Sequence, residues 1–532
     1  MRRLTSPIMK LAIVLLPIVA TIASAADAKP LQYRVWQFQD YNMDHIKRMI
    51  DIAARHKVNR VQLSHEIVMK AEQVLDRPQL ASDINTICHW AHAKGIKVDL
   101  WTHELSGVPE EFTQQKKGNL DNPKLWEWVA EKYRKLFSAC PKLDGLVLTM
   151  HETAMSVYSD NKVISSLPKA KRVAKLIDTI YEVCKPIGKL LIVRTFAYEP
   201  GELNDIQAGL NETKADIVVM SKCCPHDWQP YYPFGPDIGN VGGRPQLVEF
   251  DLGNEFTGLS TIPYVNFSYL KKNLDYDLTK KIVGSVLRIE RLKWRAVDTP
   301  NQGVIEVFTA MLANPKADPF KLYEKWLADR YDAKAAPLLL SAFKRTEEII
   351  DKGLFVLGFW ITDHSRLPTY EYAKDHLHWL TTAKWNASPY WKNLEQELFN
   401  PTPATLTKIS KEKDRALALV EASIADVKKA KPYLRERDYD YLIDLFKREK
   451  AMVVVWKAAT EVIFGIDVYK RDKSEANAAY LRAAADRLDK VANDNAEHLI
   501  RMASDYANMR RMENVGRAHG LAKYAREVLE EK

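Results

Sequence analysis

The sequence predicts an α/β protein, a (β/α)8 TIM barrel followed by a C-terminal all-α helical domain. From about residue 31 to 295, short β-rich runs alternate with amphipathic stretches, the pattern of repeated βα units and a parallel sheet. Eight such units fill roughly 265 residues, the usual size of a closed barrel. Beyond Asn314-Pro315-Lys316-Ala317-Asp318-Pro319 the strand signal stops and Ala, Leu, Lys, Arg and Glu take over, as in packed helices.

The eight expected strands are Tyr33 to Gln37, Arg60 to Ser64, Lys97 to Thr102, Gly145 to Met150, Leu190 to Phe196, Ile217 to Ser221, Gln246 to Asp251 and Ile282 to Ile289. Between them, segments such as Met43 to His56 and Leu125 to Phe137 repeat apolar residues at helical spacing. An open doubly wound sheet is the alternative. It would carry a glycine-rich turn after its first strand, and Gln37-Phe38-Gln39-Asp40-Tyr41 has none. In the second half, helices are expected over Pro319 to Arg330, Ala336 to Lys352, Thr405 to Lys429, Arg435 to Phe464, Ser474 to Asn495 and Asn495 to Glu531. Their Tyr, Trp and Met stripes read as core packing, and no repeat period stands out.

Residues 1–25 have a charged start (Arg2, Arg3, Lys10), an apolar run from Leu11 to Ile22 and the small-residue site Ala23-Ser24-Ala25, the layout of a secretory signal peptide. The apolar run is shorter than the roughly 20 residues a membrane anchor needs. The expected organisation is therefore a signal peptide over 1–25, a barrel over 26–318 and a helical domain over 319–532, secreted or periplasmic. Five cysteines (Cys88, Cys140, Cys184, Cys223, Cys224) are few for an exported chain, and their odd number leaves at least one thiol without an intramolecular partner. Stability is expected from packing. The formal charge of +9 over 532 residues is modest and sits largely on helices of alternating sign, which disfavours nucleic acid as a partner. Mild basicity suits an acidic glycan through long-range attraction.

In such a barrel, chemistry sits at the C-terminal ends of the strands. Strand two runs into His65-Glu66, strand three into His103-Glu104, strand four into His151-Glu152, strand six into His226-Asp227 and strand seven into Asn254-Glu255. One such acid is easily structural. Acids at many neighbouring strand ends repel one another unless a shared task requires them. Paired carboxylates are the equipment of glycoside cleavage, one giving a proton to the leaving oxygen and the other activating water or attacking carbon. Trp101, Trp228, Tyr231 and Tyr232 offer flat faces for a sugar ring, although core packing accounts for any one of them equally well. The segment from Phe359 to His364 reads as packing, with reach to the barrel mouth as the alternative.

At these residues the sequence resembles glycoside hydrolase family 67, the α-glucuronidases that remove glucuronic acid or its 4-O-methyl ether from xylan side chains. The resemblance rests on Lys222-Cys223-Cys224-Pro225-His226-Asp227-Trp228-Gln229-Pro230, on Glu249 to Gly258, and on Asp144 to Glu152. It implies Glu152 as the acid, Asp227 and Glu255 as the residues that position and deprotonate water, and an inverting outcome. It also implies that Arg194 and Lys222 grip the uronate carboxylate, whereas on chemistry alone either cation could simply neutralise catalytic carboxylates. His151, His226, Trp228, Trp101, His103, Glu104 and Tyr232 complete the expected substrate-binding set, with no cofactor and no metal. The sequence departs from the family at Leu148, where a third cation is expected, and at Glu152-Thr153-Ala154, where a Glu-Gly turn is expected, and the family's N-terminal β-domain is not expected between the signal peptide and the barrel. Those departures describe a distant relative whose sugar and linkage are open. In the family the helical domain mediates dimerisation, so a homodimer is the expected assembly.

Two other readings compete. The His-Glu pairs of strands two, three and four could converge on a metal ion. Alternatively the barrel binds glycans without cleaving them.

Overall fold

The computed structural model describes residues 30–531, except 292, 363, 380–381 and 504–513. The expected signal peptide lies outside the described residues. Among them, no helix is long and apolar enough to cross a membrane.

Eight parallel strands close a barrel: β1 (Tyr33–Phe38), β2 (Arg60–Leu63), β3 (Lys97–His103), β4 (Gly145–Thr149), β5 (Leu190–Arg194), β6 (Val218–Lys222), β7 (Gln246–Asp251) and β8 (Gly284–Arg288). Each strand pairs with its neighbours in chain order, and β8 closes on β1 with Tyr33 opposite Gly284. The open-sheet alternative is thereby excluded. The strands close because side chains of alternating direction find partners on both faces. Val35, Trp101, Val147, Ile192, Val218, Met220, Leu247 and Val286 fill the interior as one apolar cluster. Two polar pairs lie among the strands: Trp101 Nε1 donates to Gln62 Oε1 at 3.0 Å, and Arg60 meets Asp99 at 2.7 Å.

Helices α1 (Met43–Arg55), α2 (Ala71–Asp76), α3 (Pro78–His92), α4 (Pro123–Ala139), α5 (Lys169–Cys184), α6 (Pro200–Glu212), α7 (Phe267–Thr279) and α8 (Asn301–Ala313) connect the strands or follow the last one. Trp36 of β1 donates its indole N–H to Thr309 of α8 at 3.0 Å, tying the first strand to the helix after the last. Two small antiparallel pairings were not legible beforehand, Thr113–Gln114 with Lys117–Asn119 and Glu290–Arg291 with Trp294–Arg295. All five cysteines are buried free thiols.

The C-terminal region is helical: α9 (Pro319–Arg330), α10 (Ala336–Lys344), α11 (Thr346–Leu354), α12 (Tyr370–Trp379), α13 (Thr382–Trp385), α14 (Pro389–Phe399), α15 (Pro403–Ala430), α16 (Glu436–Arg471), α17 (Glu475–Asp494), α18 (Ala496–Ala503) and α19 (Asn514–Glu530). The single helix expected over Ala336 to Lys352 is two. Thr346 explains the break: its hydroxyl donates to the Phe343 carbonyl and accepts the Val265 N–H from the barrel, both at 2.8 Å, so a loop contact competes with helical bonding. Helices α12 to α14 had no sequence forecast.

Candidate active site

A cavity of about 270 Å³ opens at the C-terminal ends of the strands. Nine of the expected site residues line it: Trp101, His103, Glu152, Arg194, Lys222, His226, Asp227, Trp228 and Glu255.

Glu152 follows β4 on the loop after His151. Its backbone is left-handed, with φ of 55°, as are the backbones of His65 (55°), His226 (62°), Asn254 (60°) and His364 (54°). Such conformations are uncommon for residues with a Cβ and cost of order 1–3 kcal/mol each, and they gather where a site over-determines them. Glu152 is exposed to the cavity, and its Oε1 accepts the Tyr198 hydroxyl at 2.7 Å. Among the described residues no cation lies within ion-pair distance of it.

Asp227 and Glu255 stand in the opposite electrostatic setting. The Lys222 ammonium pairs with Asp227 Oδ1. Burial works against the Asp227 charge, but Lys222, His226 and Arg288 together hold its carboxyl well below the usual range. Glu255 receives two guanidiniums, Arg288 at 2.5 Å and Arg291 at 2.6 Å, with His364 Nε2 at 3.5 Å. Burial again opposes ionisation, yet these three partners bring the Glu255 carboxyl down to about 2.

Local backbone chemistry aims Glu255. Asp251, at the end of β7, accepts the Gly253 N–H at 3.0 Å and the Glu255 N–H at 2.7 Å, folding the loop back on itself. Only glycine fits at 253, since a Cβ there would stand 2.7 Å from the Glu290 carbonyl carbon. From the helical region, Ser365 Oγ accepts the Gly258 N–H and donates to the Glu255 carbonyl, at 2.9 and 2.7 Å.

The cavity floor interleaves cations, rings and acids. The Arg194 guanidinium lies 4.8 Å from the Trp101 and Phe196 ring centres, and its Nε donates to Glu249 at 2.7 Å. Lys222 lies 3.5 Å from Phe196 and 4.3 Å from Trp228, and Arg288 lies 5.4 Å from Trp228. The lining thus holds four carboxylates (Glu152, Asp227, Glu249, Glu255) and four cations (Arg194, Lys222, Arg288, Arg291). Burial pushes the His226 imidazole down to about 3 and lowers His65 and His103 as well, so these rings stay neutral.

Three expected residues are not among those that line the cavity. Glu104 turns under the barrel wall, where Lys132 Nζ reaches it at 2.5 Å and the Tyr133 hydroxyl donates to it. His103 and Glu104 are neighbours in sequence, and the alternation at a strand end sends them to opposite sides. His151 is buried against Tyr158, with Nδ1 at 2.5 Å from its hydroxyl. Tyr232 is buried in the apolar core. One member of each His-Glu pair lines the cavity, His65, His103 and Glu152, while among the described residues no three His, Cys, Asp or Glu side chains gather at ligating distance.

Sequence reasoning missed Tyr198, Glu249, Arg288 and Arg291, and gave the packing role to Trp360 and His364. Trp360 and His364, with Tyr372 and His376 of α12, form a wall of the cavity contributed by the helical region. Phe256 ties this wall to Glu255, stacking on His364 (4.9 Å, 17°) and meeting Trp360 edge-on (4.9 Å, 80°). A usable signal existed for Glu249 and Arg288: Glu249 interrupts the apolar run Leu247-Val248 and Phe250 of β7, and Arg288 closes Val286-Leu287 at the end of β8.

No protein-family model matches the chain, and a search of curated proteins returns no match. Solved structures do resemble it. A GH138 enzyme targeting pectin rhamnogalacturonan II aligns with a TM-score of 0.65 at 12% identity, over 94% of this chain and 67% of that one. A mutant of the Thermobaculum terrenum O-GlcNAc hydrolase aligns with a TM-score of 0.48 at 10% identity, over 94% of each chain. The likeness to the GH138 enzyme establishes a shared fold, a closed barrel with helices around and after it.

Proposed function

We propose that the chain is an exported glycoside hydrolase that inverts configuration at a glycan bearing uronic acid. Glu152 is the general acid, and Asp227 and Glu255 position and deprotonate the attacking water. One observation carries this reading: three carboxyls share one cavity, two of them paired with cations and the third bonded by a phenol. Asp227 and Glu255 are buried and held ionised by cations, so both are available as acceptors for the attacking water. Glu152 is exposed to the cavity and has no cation within ion-pair distance among the described residues. The likeness in fold to a GH138 enzyme targeting rhamnogalacturonan II supports the same class.

The inverting assignment rests on the family resemblance of Glu152, Asp227 and Glu255, which follow β4, β6 and β7. Inverting enzymes need roughly 6.5 to 9.5 Å between carboxyls to seat a water, and retaining enzymes only about 5 Å. The signal-peptide layout of residues 1–25 supports export.

The uronate preference rests on the four cations of the lining and on the family resemblance of Arg194 and Lys222. A second reading, a neutral sugar, is favoured by one observation: Arg194 is already paired with Glu249 and Lys222 with Asp227, so neither charge is unspent. Aryl uronides and the matching aryl hexosides separate the two, assayed together with uronic-acid-bearing oligosaccharides. The proposal expects release from the uronides, abolished in Glu152→Gln while oligosaccharide binding persists. Release from the hexosides alone selects the neutral sugar. Binding without cleavage of any substrate contradicts hydrolysis and leaves a glycan-binding barrel.

A further inference from the structure

We propose that Tyr198 is the positioning residue for proton delivery: by donating its hydroxyl to Oε1 of Glu152 it leaves Oε2 as the oxygen that carries and gives up the proton. This inference rests on the hydrolase reading above and adds a residue to its machinery.

The geometry is specific. Tyr198 sits on the loop after β5, between the loop that carries Glu152 and the loop that carries Asp227. Its hydroxyl lies 2.7 Å from Glu152 Oε1. Its ring stacks on His226 (5.0 Å, 22°) and meets His151 (4.5 Å, 89°) and Phe196 (5.1 Å, 85°) edge-on. Rings from three loops therefore fix the phenol, so its hydroxyl is aimed before a substrate arrives. His226 precedes Asp227 directly, and the same ring thus braces the acid side and the base side of the cavity.

Tyr198 also stays protonated. Burial, and then the charges of Glu152, Asp227 and Glu255, push its hydroxyl above the usual phenol range. It can donate throughout the cycle without ionising. In the step it supports, the O–H bond at Glu152 Oε2 breaks as one forms to the glycosidic oxygen. The bond from that oxygen to the anomeric carbon breaks, and its electron pair stays on the oxygen. Water bonds to the carbon from the other face and gives its proton to the Asp227 and Glu255 side. Glu152 is left as a carboxylate, and the Tyr198 hydrogen bond strengthens as that charge develops.

The test is Tyr198→Phe, which keeps the ring and deletes the hydroxyl. Two measurements apply. The first is kcat on a 2,4-dinitrophenyl glycoside, whose leaving group needs no protonation, against kcat on an oligosaccharide, whose leaving group does. A loss of about tenfold or more confined to the oligosaccharide is expected. Equal losses on both substrates overturn the assignment. The second needs no turnover: carbodiimide labelling of Glu152 at mildly acidic pH, read by peptide mass spectrometry. Carbodiimide attacks the protonated carboxyl, so the variant labels faster, by about threefold or more. An unchanged rate overturns the proposal. If the wild type cleaves nothing, the hydrolase reading fails by itself, and the labelling still decides whether Tyr198 governs Glu152.

Discussion

Replacing Arg194 tests whether the floor cations neutralise acids or wait for substrate. The Arg194–Glu249 pair is buried on both sides, with side-chain exposures of 5% and 1%, and Glu249 Oε1 already has no partner. Arg194→Met leaves a buried carboxylate without its counter-charge, at a cost of about 4 kcal/mol, with contacts to Trp101 and Phe196 contributing about 1 kcal/mol of that. Glu249→Gln strands the guanidinium in the same way and costs about 3 kcal/mol. In the double variant neither member of the pair is left as an unpaired buried charge, and the loss falls to about 1–2 kcal/mol. The two changes therefore couple by about 5 kcal/mol. For a barrel of this size each kcal/mol moves the midpoint by about 2 °C, so scanning calorimetry should show drops of about 8, 6 and 3 °C. Additive drops would refute the reasoning. A nearly silent Arg194→Met would do so too, and would return Arg194 to the role of a waiting substrate grip.

Further expectations concern acid, pH, packing and thiols. Glu152→Gln should lose about 10²- to 10⁴-fold in kcat on oligosaccharides, measured by reducing-sugar release, and retention of near wild-type turnover would remove Glu152 from the acid role. His226 is held down to about 3 against an ordinary 6.5, so the unfolded chain binds the extra proton and stability falls with pH below about 6.5. The Tm of the wild type should fall between pH 6.5 and 5, with about 1.4 kcal/mol per unit of the slope from this ring, and His226→Gln should remove that share. Gly253→Ala forces a Cβ to within 2.7 Å of the Glu290 carbonyl carbon, which should cost about 1–3 kcal/mol in urea unfolding and lower kcat/KM by displacing Glu255. A thiol reagent should label none of the five buried cysteines in the native protein and all of them after denaturation.

The barrel was legible because each strand is a short apolar run bounded by turn residues, and helical spacing fills the intervals between them. Helices α12 to α14 were not, since residues 370–399 mix Tyr, Trp, His and charged residues without an apolar stripe. The same segment hid part of the site. Trp360, His364 and Tyr372 reach the cavity only because the helical region folds back over the barrel mouth, a tertiary contact with no local signature. Strand-end position picked out Glu152, Asp227 and Glu255, but could not tell a side chain facing the cavity from one facing the helices. That ambiguity misplaced Glu104, which serves Lys132 and Tyr133 in the wall. Arg288 and Glu249 carry no strand-end signature, because they belong to β8 and β7 themselves rather than to the loops that follow.

The division of labour between an accessible acid and two cation-held carboxylates is tested most directly by the first product of hydrolysis. Proton NMR of the released sugar in the opening minutes, before mutarotation, reads its anomeric configuration. The account predicts an α-linked substrate giving the β anomer first. An α anomer at the outset would mean retention through a covalent intermediate, and would contradict the roles given to Asp227 and Glu255.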